Sequence, residues 1–156
     1  MKNSDLIRRF EQFQKAISRL KESFLLDDDL PLWEHLPKTK KPVLSGVTTK
    51  DYWRHLLQDS AIQRFEFTFE MVWKCLRLWL KGKDIMANNP RDAIKEALAQ
   101  GLIEDGDGWT EMQENRNITT HTYDESDAGK VFSFIKEKGI ILFEALEKTL
   151  KDSLHG

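Results

Sequence analysis

The sequence predicts an all-α fold, an up-and-down helical bundle of four main helices plus a short extra helix. Three observations carry that prediction. Apolar residues recur at alternating steps of three and four, the period of one helical face. No segment sustains the two-residue alternation of a half-buried strand. Helix start and stop signals, such as hydroxyl or Asn caps, proline at a first helical position and terminal glycine, bracket the apolar stripes.

The first stripe is Leu6, Phe10, Phe13, Ile17, Leu20 and Phe24, with Ser4 as the expected N-cap. Asp27-Asp28-Asp29 follows, and then Pro31, Pro37 and Pro42 with Lys38, Lys40 and Lys41. Prolines that close together cannot continue a helix, so a connector is expected at about 27–49 within one domain spanning 1–156. Its Lys38-Thr39-Lys40-Lys41 run reads either as a phosphate-seeking patch or as a solvated loop.

Thr49 should cap a long helix from about Lys50 to Lys81, ended by Gly82. Its main stripe is Ile62, Phe65, Phe69, Val72, Leu76 and Trp79, and Phe67, Met71, Trp73 and Leu80 occupy other faces. A helix apolar on several sides must be covered on several sides, either at the centre of the bundle or in a subunit interface. Asn89-Pro90 opens a short helix with Ile94, Ala97 and Leu98 inward, closed by Gly101.

Glu104-Asp105-Gly106-Asp107-Gly108 is read as turn and cap residues before a helix starting near Trp109. The Asp-x-Asp-x-Asp-Gly register of a calcium loop is broken by Trp109 and Thr110. Ser126 should cap the last helix, whose stripe is Val131, Ile135, Leu142, Leu146 and Thr149, with Phe134 and Ile141 beside it.

Composition narrows the function. The 156 residues include 24 basic and 26 acidic ones, a net charge of −2, which excludes a surface uniformly coated for nucleic acid but leaves room for a local basic pocket. A single cysteine, Cys75, excludes a disulfide framework and a Cys-rich zinc site, and its place beside Trp73 and Leu76 suits a buried, unreactive thiol. Met1-Lys2-Asn3-Ser4-Asp5 opens without an apolar core, so no signal peptide is expected. No apolar run reaches the ~18 residues of a membrane span, and a cytoplasmic location is expected. Gly-rich phosphate loops, metal-ligand spacings and Ser or Cys nucleophile motifs are all missing from the sequence.

Glu114-Asn115-Arg116-Asn117-Ile118-Thr119-Thr120-His121-Thr122-Tyr123-Asp124 is the segment with chemistry in it. Trp109, Met112 and Arg116 fall at i, i+3 and i+7, so Arg116 continues an apolar stripe. A guanidinium aimed at a covered surface needs a carboxylate partner, with Glu66 and Glu70 as candidates, or an anionic ligand. His121 stands ~140° from Arg116 in an unbroken helix, too divergent to share a ligand. Fraying at Thr119-Thr120 would bring the two together. His121 and Tyr123 share a side if the chain is extended there. Arg, His and Tyr on one surface would suit phosphodiester chemistry: the imidazole moves a proton and the guanidinium offsets charge building on the phosphoryl group.

Four stretches resemble, in order, the nucleotidyltransferase substrate-binding proteins of the HEPN superfamily: Arg64-Phe65-Glu66-Phe67-Thr68-Phe69-Glu70-Met71-Val72-Trp73-Lys74, Pro90-Arg91-Asp92-Ala93-Ile94, Gly101-Leu102-Ile103-Glu104-Asp105-Gly106, and Arg116 through Asp124. The resemblance runs from about Asp59 to the C-terminus. It implies a homodimer in which the Arg-x4-His segments of two subunits face one cleft. It also implies a toxin, a metal-independent ribonuclease needing no cofactor, silenced by a partner nucleotidyltransferase that AMPylates a tyrosine. By position, Arg116 and His121 would be catalytic, Asn117 an auxiliary polar group, and Tyr123 the AMPylation acceptor. Added bulk and negative charge at Tyr123 would repel RNA phosphates. The stretch between Leu30 and Thr49 is longer than the turn this family leads one to expect, a candidate for modifying RNA access or partner docking. The competing expectations are a non-catalytic substrate-binding subunit of a minimal nucleotidyltransferase, and a helical oligomer whose Arg and His only satisfy each other.

Overall fold

In the computed structural model the described residues are 2–25, 49–121 and 125–155. They form α1 (Lys2–Glu22), α2 (Thr49–Lys81), the short α3 (Pro90–Ala99), α4 (Gly106–His121), and α5 (Glu125–Phe134) running through a π-helical turn (Ile135–Gly139) into α6 (Ile140–His155). Counting the continuous α5–α6 run as one, this is the expected bundle of four main helices and a short one. The expected connector at about 27–49 lies outside the described residues, save for Thr49.

All six residues of the first stripe are buried, and so are all six of the main α2 stripe. The α1–α2 contacts show the two helices antiparallel. Arg64 donates to the Arg19 carbonyl at 2.6 Å, and Thr68 lies opposite Ala16 at 3.4 Å, so numbers rise on one helix as they fall on the other. Trp109 meets Phe143 while Glu111 meets Lys138, which makes α4 antiparallel to the last helix. Phe65 meets Phe143 and Trp79 Nε1 donates to Ser153 at 3.0 Å, so α2 and α6 run parallel. The order is up, down, up, down.

Helix α2 is the central member of the bundle, touching α1, α3, α4 and α5. Met71 and Leu80 are buried on its flanks, whereas Phe67 remains exposed. At its end the Gly82 N–H bonds the Leu78 carbonyl at 3.1 Å. Asn89 caps α3 as expected, its Oδ1 accepting from the Asp92 N–H at 2.8 Å. Gly101 closes α3 with a φ of 77°, and the Leu102 N–H bonds the Ala97 carbonyl. Leu98, expected inward, is exposed; Ala93 takes the buried position instead.

Four helix starts differ from expectation. Thr49, Ser126 and Ser4 are the first, second and third residues of their helices rather than caps, since α2 begins at Thr49, α5 at Glu125 and α1 at Lys2. Helix α4 begins at Gly106, three residues before Trp109, because the Asp105 carboxylate accepts from the Gly108 N–H at 2.9 Å. Asp105 is thus a capping residue, and glycine is required opposite it. A Cβ on residue 108 would stand 2.5 Å from an Asp105 carboxylate oxygen and 3.1 Å from Leu142 Cδ2.

The π turn was not foreseen. The Ile140 N–H reaches back to the Ile135 carbonyl, which inserts one extra residue and rotates everything after it. Thr149 and Ile141 therefore face outward, while Phe143 and Leu150 enter the core with Leu142 and Leu146. Phe143 becomes the aromatic centre, with ring centroids 6.2 Å from Phe13, 6.0 Å from Phe65 and 6.0 Å from Trp109.

Candidate functional site

Burial of Trp109 and Met112 against the core sets the rotation of α4 and so the direction in which Arg116 leaves it. Asn115, also buried, satisfies its amide within the helix by donating to the Glu111 carbonyl at 2.8 Å. Arg116 follows at the rim of the same face, its side chain 22% exposed. Its Nη1 lies 4.0 Å from Glu66 Oε2 on α2 and donates to Thr119 Oγ1 at 3.3 Å. Of the two candidate carboxylates, Glu66 is the partner; Glu70 pairs with Lys74 at 3.3 Å.

An ion pair 4.0 Å long between two partly open side chains offsets the guanidinium's charge only weakly. Thr119 adds a neutral acceptor on the same helical turn. This residue was not singled out from the sequence, although its i+3 spacing from Arg116 was the available signal.

The condition for bringing Arg116 and His121 together, fraying at Thr119-Thr120, is not met: α4 is helical to His121. The reason is local. Thr119 Oγ1 donates to the Arg116 carbonyl and Thr120 Oγ1 to the Asn117 carbonyl, both at 2.7 Å, so each threonine is bonded into the helix rather than competing with it. His121 is accordingly at a helix position ~140° from Arg116, and one turn beyond Asn117, which is exposed. Within a single chain the helix does not turn the Arg116 and His121 positions to one side. Tyr123 lies outside the described residues.

A second bond ties α4 to the last helix, nearer the N-terminal end of α4. Lys138, in the π turn, donates to Glu111 Oε2 at 3.0 Å. Elsewhere, Cys75 is fully buried and its thiol is pushed up to about 12 by desolvation, which the nearby Arg9 only partly offsets; it is not a nucleophile. Among the described residues no three His, Cys, Asp or Glu side chains gather as a metal-binding group, and no helix is long and apolar enough to cross a membrane.

Residues 8–152 match the family described as nucleotidyltransferase substrate binding protein like, so the match includes most of α1 as well as the stretch from Asp59 onward. A probable ribonuclease HepT of Haemophilus influenzae is 35% identical over 101 residues, which are 59% of this chain and 69% of that protein. A solved Haemophilus influenzae structure, described as the fold of a substrate binding domain of a nucleotidyltransferase, superposes with a TM-score of 0.72 at 27% identity, covering 91% of this chain and 98% of its own. A tri-AMPylated HEPN toxin of Shewanella oneidensis, solved with its MNT antitoxin, shares the fold at a TM-score of 0.66 and 17% identity, covering 94% of this chain and 96% of its own.

Proposed function

This chain belongs to the nucleotidyltransferase substrate-binding-protein-like family, and from that premise we propose that it is a member of the HEPN superfamily and the toxin of a toxin–antitoxin module. In this reading it is a metal-independent endoribonuclease cleaving RNA, tRNA being one candidate. The observation that carries the reading is Arg116: a guanidinium at the rim of the core, oriented by Glu66 and Thr119 and still partly open to solvent.

His121 would take the proton from a ribose 2′-hydroxyl, whose oxygen attacks the adjacent phosphorus and expels the 5′ oxygen of the next nucleotide. The leaving 5′ oxygen takes that proton back from the imidazolium, so the products are a 2′,3′-cyclic phosphate and a 5′-hydroxyl end. Arg116 would stabilise the charge that builds on the non-bridging oxygens. Asn117, exposed and one turn before His121, would add a hydrogen bond to substrate. Because Arg116 and His121 diverge around the helix axis, the reading requires a homodimer in which the arginine of one chain works across a cleft from the histidine of the other. A partner nucleotidyltransferase would silence the site by AMPylating Tyr123.

The test is cleavage of RNA in EDTA by the wild type, His121→Ala and Arg116→Ala. Cleavage by the wild type with loss in both variants is expected. Equal activity of wild type and His121→Ala removes the histidine from the mechanism, and no cleavage by any of them leaves a substrate-binding subunit.

A further inference from the structure

Far along α2 from Glu66, a hollow of about 260 Å³ opens between α1, the last turns of α2 and the loop that follows. Arg9, Lys74, Arg77 and Lys81 line it, with Leu78 and Met86 among its apolar residues. Among the described residues its wall carries no carboxylate. Glu70 reaches Lys74 at 3.3 Å and offsets one of the four charges. In a chain whose net charge is −2, four cations around one hollow are a marked local separation of charge.

We propose that this groove binds the phosphate backbone of single-stranded RNA, as a docking site separate from the Arg116 region. Three features select a strand over a lone phosphate. From Lys74 to Lys81 the cations spread over ~10 Å of helix axis, more than one phosphate group spans. Leu78 and the largely exposed Met86 offer an apolar surface for a base beside the cations, the pairing of charge and apolar platform that single-stranded nucleic acid uses. Arg77, Lys81 and Lys74 lie within ~80° of Glu66 around α2 and ~12–22 Å along it, so a strand lying on that face passes both the Arg116–Glu66 pair and the groove.

The proposal rests on the ribonuclease reading for its choice of RNA, but its test does not depend on cleavage. Full-length protein carrying Arg116→Ala is titrated against a labelled single-stranded RNA oligonucleotide over a range of salt. Adding Lys74→Gln and Arg77→Gln should weaken binding about tenfold at low salt. It should also reduce the slope of log affinity against log salt by about 1.4, two cations at ~0.7 each. An unchanged melting temperature confirms folding, and Arg9→Gln with Lys81→Gln is the second pair. Unchanged affinity and slope in both pairs overturn the groove, even if the wild type cleaves RNA. The expected loss of binding upholds it, even if the wild type cleaves nothing. Displacement of the RNA by ATP at equal phosphate concentration, with the same variants losing ATP, assigns the groove to a free nucleotide and overturns the RNA assignment.

Discussion

Arg116 holds its charge on a planar fork, whose Nη1 meets both Glu66 on the adjacent helix at 4.0 Å and Thr119 one turn on at 3.3 Å. A lysine at 116 would keep the charge and lose the fork. Arg116→Lys is therefore expected to bind RNA nearly as well as the wild type while its kcat falls by ~10²-fold, the scale of a lost oxyanion donor. Steady-state cleavage kinetics separate the two quantities. A drop in melting temperature with kcat intact would instead make the Arg116–Glu66 pair a structural contact. The sequence supplied both candidate carboxylates, at 66 and 70, but not the choice. The two glutamates are one turn apart on one face of α2, and only the packing of α4 against that face selects between them.

Elements are where periodicity was most and least informative. The stripe of α1 and the main stripe of α2 are buried at every position named from spacing, because an unbroken helix repeats faithfully over that length. In the last helix the same rule holds in part: Leu142 and Leu146 are buried as expected, but after the extra residue of the π turn Phe143 and Leu150 join them while Ile141 and Thr149 face outward. Downstream, Glu147 lies on α6 with Glu144 one turn before it. Desolvation first, and then repulsion from Glu144, raise its carboxyl above the ordinary value of 4.5. A raised carboxyl means that the folded chain holds its proton longer than the unfolded chain, so stability falls as pH rises from the unfolded value through the folded one. At neutral pH the penalty is fully present. Glu147→Gln should then be the more stable protein at pH 7 and indistinguishable from the wild type well below 4.5, as read from denaturant midpoints at both pH values.

For the whole molecule, one ring ties the helices together. Phe143 on α6 touches Phe13 of α1, Phe65 of α2 and Trp109 of α4, and is fully buried. Phe143→Ala should cost ~3–5 kcal/mol by chemical denaturation, the range for an emptied aromatic site, and Phe143→Leu clearly less. Because Trp109 leans on that ring, the alanine variant should also loosen α4 and lower RNA cleavage in step with stability. What the chain's order of residues settles by itself is the helical class, the inward faces of α1 and α2, the capped start of α3 and the segment that carries Arg116, because each is a local consequence of spacing, capping and side-chain chemistry. The π turn, the choice of Glu66 and the gathering of Arg9 with the α2 cations are decided only when the helices pack. Each depends on which side chains meet across a distance in sequence, or on how strain in one helix is relieved against its neighbours, and no repeat along the chain encodes either.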